Sequence, residues 1–228
     1  MKVVSLVPSI TESLLAWGIT PIAVTRFCEV PGLATVGGTK NPDIDGIVAL
    51  APDVVFMDKE ENRAPDAASL ENAGVPVIAT DVRSVDDVEP ALARLAEAVG
   101  VVVPPFRIPV PDKGRGVKVF VPIWRRPWMT VGGRTYGSSA LTAAGFVNVY
   151  ASSADPYPTV ELGDVAERRP AHVLAPSEPY DFKEKHRAEL EVVGPVRFVD
   201  GKDLFWWGVR TPGAVGRLRE MAAALAGA

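Results

Sequence analysis

Between Ser84 and Gly100 the apolar residues Val85, Val88, Leu92, Leu95 and Val99 step by three, four, three and four. That spacing sets them on one face of an α-helix. Gly100 is placed to stop the helix, because a residue without Cβ turns left-handed at least cost. The start has two readings. If Ser84 caps, Pro90 falls inside the helix and forfeits a backbone bond. If Asp87 caps, Pro90 lies in the first turn, where its missing N–H is not needed; this start is preferred. From Val88 to Val99 the helix would span roughly 18 Å at ~1.5 Å per residue. It stands between two similar halves and is expected to be the rod that ties them. An ordinary crossover helix in one α/β sheet is the alternative.

In the first half, short apolar runs alternate with helix signals. Val3–Leu6, Ile22–Thr25, Val54–Met57 and Val75–Thr80 read as strands. Ser9 and Glu12 form an S-x-x-E capping box ahead of a helix that Gly18 ends. Asp43 caps a short helix carrying Ile44, Ile47, Val48 and Leu50, and 65–72 reads as another helix. Val101–Gly116, with four prolines and two glycines, is a connector. The pattern then restarts. Strands are expected at 117–121, 146–149, 172–175 and 196–199, and helices at 138–144, 160–168, 182–189 and 212–225. Near-continuous apolar strands separated by helices imply parallel sheets covered on both faces.

The halves also echo each other. ALAPDVVFM (49–57) corresponds in kind to ERRPAHVLA (167–175), and GVPVIATD (74–81) to GPVRFVDG (194–201), at offsets of about 118–120 residues. The expected architecture is α/β: two Rossmann-like lobes with parallel sheets, bridged by a single long helix. The lobes would be 1–83 and 117–228, with 84–116 as backbone helix and connector. A ligand of such a pair is expected in the crevice between the lobes, at the strand carboxyl ends.

Composition narrows the chemistry. The chain has 228 residues, 47% hydrophobic and 23% charged, with a formal net charge of −4. That gives a nucleic-acid partner no electrostatic support. No apolar run reaches membrane-spanning length, and the first residues already read as strand and turn rather than leader. With the single Cys28, these features point to a cytoplasmic protein, or to an extracytoplasmic one if a leader has been removed. His172 and His186 show no metal-ligand spacing with Cys28, so no metal site is expected. Asp58–Glu61 reads as a solvated charge run, and the glycines Gly132, Gly133 and Gly137 read as a turn. No acid–base pair is recognisable, so no catalytic residue is assigned and no cofactor is required.

The aromatic residues say more. Trp124, Trp128 and Tyr136 crowd a loop after the first strand of the second half, and Phe205, Trp206 and Trp207 follow its last strand. Phe27 follows the second strand of the first half, and Tyr150 and Tyr157 flank another loop. With Arg125, Arg126, Arg134 and Arg210 they suit a large, flat, partly anionic ligand.

The stretches VVSLVPSITESLLAWG, GGTKNPDIDGIVALAPDVVF and AGVPVI, with DLFWWGVRTPGAVGRL near the end, resemble the cobalamin- and siderophore-binding proteins of ABC importers. The resemblance runs through almost the whole chain. It implies two α/β lobes bridged by one long helix, the class III substrate-binding fold. It further implies a bound corrinoid, haem-like or ferric siderophore ligand. Phe27, Trp128 and Tyr157 match cleft aromatics, and Phe205 and Trp206 occupy the final ligand-facing loop. Thr39 stands where corrinoid binders carry a tryptophan, which counts against cobalamin itself. Lys40, Trp124, Arg126 and Arg210 complete the candidate binding set. Of the acids that dock an importer permease, Asp45 matches the first, one methylene shorter; Gly163 stands at the second, with Asp164 next to it. That departure weakens the permease expectation. The reading is a binding protein for a metal-bearing macrocycle or chelate, and the alternative is an intracellular chelatase-like enzyme that handles tetrapyrroles.

Overall fold

The computed structural model describes residues 1–103, 105–106, 108 and 116–227. These residues fall into two compact units, neither of them a single run of chain. Unit 1 comprises Met1–Val82, Asp86–Phe106 and Trp207–Val209; unit 2 comprises Arg83–Val85, Arg107–Trp206 and Arg210–Ala228. Of the expected connector, residues 104, 107 and 109–115 lie outside the described residues.

Unit 1 contains, in chain order, β1 (Val3–Ser5), α1 (Pro8–Ala16), β2 (Ala23–Val24), β3 (Ala34–Thr35), β4 (Gly37–Gly38), β5 (Asn41–Pro42), α2 (Ile44–Ala49), β6 (Val54–Asp58), α3 (Ala64–Asn72), β7 (Val77–Thr80) and α4 (Val88–Ala98). Five strands form one sheet in the order β3-β2-β1-β6-β7, every pair parallel. Val3, Val4, Val54, Val55 and Phe56 are all buried, as continuous apolar strands covered on both faces require. Val4, Val55 and Met57 pack with Ile47 of α2 and Leu70 of α3.

Helix ends follow local chemistry. Asp43 caps α2 as expected, its carboxylate accepting the Gly46 N–H at 3.0 Å. α4 begins at Val88, with Asp87 at the cap position, but no side-chain hydrogen bond closes that cap. At its far end Gly100 has φ +69°. Gly100 N–H reaches Glu97 O at 3.1 Å and Val101 N–H reaches Ala96 O at 2.9 Å, a Schellman stop. The Ser9 capping box does not form. α1 starts one residue earlier, with Val7 at the cap and Pro8 opening the helix. Proline's fixed φ and missing N–H suit that position, so Ser9 is carried inside the first turn.

Unit 2 contains β8 (Val117–Phe120), β9 (Pro122–Trp124), β10 (Trp128–Thr130), α5 (Tyr136–Ala143), β11 (Phe146–Asn148), β12 (Thr159–Val160), α6 (Leu162–Glu167), β13 (His172–Pro176), α7 (Arg187–Leu190), β14 (Val196–Val199), α8 (Gly201–Phe205) and α9 (Thr211–Ala226). Its main sheet runs β11-β8-β13-β14, again all parallel. This repeats the β2-β1-β6-β7 order of unit 1, so the echo of 49–57 in 167–175 pairs topologically equivalent strands. Phe120, Val173 and Val196 pack with Val165 and Leu190 on one side.

Three expectations need correction here. The aromatic segment after β8 is not a loop. β9, β10 and β12 form a small antiparallel sheet, with Trp128 opposite Val160 and Met129 opposite Trp124. Strands of two or three residues carry too little alternation to be read from sequence. The helix expected at 182–189 is a 3₁₀ turn (Glu184–His186) followed by the four-residue α7. Phe205 lies not in a loop but at the end of α8, capped by Asp200, which accepts the Lys202 N–H at 2.9 Å. Among the described residues no helix is long and apolar enough to cross a membrane.

Candidate functional site

In unit 1 the loops at the strand carboxyl ends are clasped by one buried side chain, Asn62. Its Oδ1 accepts the Asp58 N–H at 2.8 Å. Its Nδ2 donates to Thr39 O at 2.9 Å and to Leu6 O at 3.3 Å. The segments after β1 and β6 and the β4–β5 turn are thereby fixed together. Thr39 is buried in that turn, and the Lys40 ammonium donates to the Glu60 carbonyl. Phe27 is 51% exposed, with the Arg26 guanidinium 4.9 Å from its ring centre. Cys28 is buried, with its Sγ 3.2 Å from Thr11 Oγ1 and 3.4 Å from Thr25 Oγ1.

The Asp58–Glu61 charge run is only partly solvated. Asp58 is buried, accepting from Thr80 Oγ1 at 2.7 Å and from the Glu60 N–H at 2.9 Å. Burial nonetheless pushes its carboxyl above the ordinary 3.8, outweighing the hydrogen bonds, which act in the opposite direction. Between the ordinary value and its own, Asp58 holds a proton in the folded chain that the unfolded chain has released. Its contribution to stability is therefore full below the ordinary pKa and is lost as pH rises through the raised one. Asp58→Asn should accordingly be as stable as the parent at pH 7 or more so, the difference shrinking as pH falls toward 4. Urea midpoints across that range check it; a clear loss at pH 7 would show that the bonds to the carboxylate outweigh its desolvation.

In unit 2 the facing ends of β9 and β10 meet the segment after β13 in an aromatic cluster backed by the buried Phe182. Trp128 stacks on Phe182 at 6.0 Å and 7°, and Tyr180 meets Trp124 edge-on at 5.6 Å. Tyr180 and Phe182 are 4.7 Å apart, with the His186 ring within 5.8 Å of both. His186 Nδ1 accepts the Lys183 N–H at 3.0 Å, which leaves its proton on Nε2, 3.5 Å from Tyr180 Oη. Burial, then the charges of Lys185 and Arg125, lower its pKa, so the ring is neutral at pH 7. Arg125 is held by Glu189 at 2.7 Å. Arg126, at φ +65°, is exposed, and Trp124 is 45% exposed, unusual for an indole.

A second cluster surrounds Trp206. Lys202 Nζ lies 4.6 Å and the Arg210 guanidinium 5.4 Å from its ring centre. Asp203 beside it is bound through both oxygens by Arg217, at 2.8 and 2.5 Å, and by Arg210 at 3.4 Å. Phe205 turns its ring to Gly137, where an added Cβ would lie 3.1 Å from Phe205 Cε1. Tyr157 is half-buried in the loop before β12, its N–H on Asp155 Oδ1 at 3.0 Å.

Of the expected residues, the structure groups Trp124 with Trp128, Trp206 with Arg210, and Thr39 with Lys40. It leaves Phe27 and Tyr157 each in a separate loop. Tyr136, Tyr150 and Trp207 are buried. Tyr136 donates to or accepts from Thr211 at 2.9 Å, and burial pushes its pKa to about 12. Sequence reasoning missed Tyr180, Phe182 and Lys202. A usable signal for the first two was SEPYDF, aromatic and proline-bearing, directly after a strand's carboxyl end. Asp45 and Asp164 are exposed in the first turns of α2 and α6. Among the described residues, no group of three or more His, Cys, Asp or Glu could hold a metal ion.

Two α/β units of matching strand order, with aromatic and cationic loops at the carboxyl ends, define the fold of class III substrate-binding proteins. Comparison with known proteins agrees. Residues 3–101 match the family profile described as periplasmic binding protein. A vitamin B12-binding protein of Salmonella paratyphi A is 28% identical over 189 residues, covering 76% of this chain and 71% of its own. The periplasmic vitamin B12-binding protein BtuF of Vibrio cholerae superposes with a TM-score of 0.78 at 19% identity, covering 99% of this chain and 97% of its own. A periplasmic heme-binding protein from Pseudomonas aeruginosa gives 0.78 at 20%, covering 97% and 92%. The resemblance read from the sequence motifs is thereby borne out: this chain is similar to vitamin B12-binding and heme-binding periplasmic proteins and shares their fold.

Proposed function

We propose that the protein is a receptor for a metal-bearing macrocycle or chelate (a corrinoid, haem-like ring or ferric siderophore), which it binds without altering. The observation that carries this reading is the aromatic cluster of unit 2, in which the exposed Trp124 and the partly exposed Trp128 and Tyr180 are backed by the buried Phe182, apolar rings of the kind that stack on a flat ligand. The names of its relatives support it: they bind vitamin B12 or heme. Asp45 and Asp164 are the residues we assign to an ABC permease, each on the exposed first turn of a short helix. The relatives' descriptions favour the periplasmic side of the two compartments considered.

Tryptophan fluorescence tests the reading. Purified protein is titrated with cobalamin, cobinamide, haemin and a ferric siderophore panel, with inner-filter correction. One of them should quench saturably, and Trp128→Ala should weaken that binding by about tenfold, the cost of one lost aromatic contact of ~1.4 kcal/mol. Absence of saturable binding across the panel would sink the receptor reading.

A further inference from the structure

On the receptor reading above, we infer that the ligand is an anionic ring, one bearing ionised carboxylates, and that Trp206 is a mount for the cations that meet them. Two cations, Lys202 and Arg210, lie 4.6 and 5.4 Å from the centre of this one indole. Both are within the range of a favourable cation–π contact. Both stand over the indole, where a flat ligand stacking on Trp206 would meet them. The indole therefore does something other than the stacking expected from its sequence position: it fixes two flexible positive side chains in place.

Local charge supports the same conclusion. Asp203 is buried, and Arg217 takes both of its oxygens at 2.8 and 2.5 Å, leaving Arg210 a longer share at 3.4 Å. One carboxylate thus faces two guanidiniums. Asp200, the other acid of this segment, turns its carboxylate to the Lys202 backbone N–H. The segment from Asp200 to Arg217 carries more positive than negative charge in a chain whose net charge is −4. The pairing recurs elsewhere: Arg26 sits 4.9 Å from the Phe27 ring centre, and Arg126 is exposed two residues from Trp124. A guanidinium meets a carboxylate with two parallel charge-assisted bonds and a neutral amide with weaker ones. A ring whose substituents are all amides forgoes that gain.

Three probes separate the possibilities: haemin, with two ionised propionates; haemin dimethyl ester, with the same ring and iron but no carboxylate; and cobinamide, an amide-bearing ring. All are titrated in one buffer with the same dilute detergent. Haemin should bind at least about tenfold more tightly than its ester, the worth of one charge-assisted bond. Arg210→Gln and Lys202→Gln should each weaken haemin about five- to tenfold and leave the ester within twofold. Raising salt from 50 to 500 mM should weaken haemin only. Equal binding of haemin and ester, equal losses for both in either variant, or tighter binding of cobinamide would overturn the anionic-ring inference while leaving the receptor reading intact. No binding by any probe, with siderophores also failing, would remove the receptor reading and this inference with it. Lys202→Gln, a change on a partly exposed side chain, keeps the test decisive if Arg210→Gln disturbs Asp203 and folding.

Discussion

Gly133→Ala is expected to cost unit 2 about 3 kcal/mol, the upper end for forcing an atom into a packed site. A Cβ on Gly133 would lie 1.8 Å from the Ala151 carbonyl oxygen and 2.8 Å from its carbon. Both are backbone, so no flexible side chain can swing aside. Gly132 is equally confined, its added Cβ falling 2.2 Å from Asp155 O. The two glycines seat the 151–156 loop against the turn before α5: Gly132 N–H bonds Pro156 O at 2.7 Å, and Arg134 Nη2 bonds Ala154 O at 3.1 Å. Tyr157 directly follows this loop, so Gly133→Ala should also displace that ring. Gly163→Ala is the internal control. It lies in α6 with no heavy atom within 4 Å of its added Cβ and should gain roughly 0.5–1 kcal/mol from helix propensity. Urea unfolding of the three proteins checks both signs. A Gly133→Ala protein as stable as the parent would mean that the loop does not pack on this glycine.

The second large effect is expected at Asn62. Truncation to alanine removes three hydrogen bonds and leaves the Leu6 and Thr39 carbonyls and the Asp58 N–H without this partner in a buried place. Each unsatisfied buried group costs about 1–3 kcal/mol, and water admitted to the vacated space recovers part of it, so a loss of about 2–4 kcal/mol is expected. Asn62→Asp should be no better. It keeps the acceptor for Asp58 N–H but turns a charged oxygen toward two carbonyls and toward the Asp58 carboxyl. Thermal unfolding measures the loss. Hydrogen exchange should show faster opening at Thr39 and Lys40 than in the α3 helix. Uniform loosening of unit 1 would instead mark Asn62 as ordinary core.

Much of the frame was legible in the sequence because it rests on period and punctuation. The stepped apolar face of α4, the Asp43 cap and the left-handed Gly100 are local, and each survives in the structure. The internal echo was legible too, because equivalent strands at matching places in two sheets face the same burial. What stayed hidden was set by distance. The pairing of Trp128 with Val160 spans an intervening helix and strand, and no window of sequence shows it. Asn62, just after the Asp58–Glu61 charge run, carried no signal of its own because its partners lie 23 and 56 residues away. Among the candidate residues, tryptophans and arginines announced themselves by type, whereas Tyr180 lay just ahead of what read as a helix and Phe182 at its first position. Pro8 decided the start of α1 over Ser9 by backbone geometry alone.

The return of Trp207–Val209 to unit 1 has a consequence for how the chain is made. Gly208, at φ +140°, leaves its Cβ position only 2.5 Å from Ser13 Oγ, and the Val209 N–H reaches that hydroxyl at 3.3 Å. Helix α1 thus meets this neighbour only after the chain from β8 to α8 has been translated. A nascent chain paused before Trp207 would hold a sheet and its helices with one place still unfilled. Dividing the gene at the connector would yield neither unit whole.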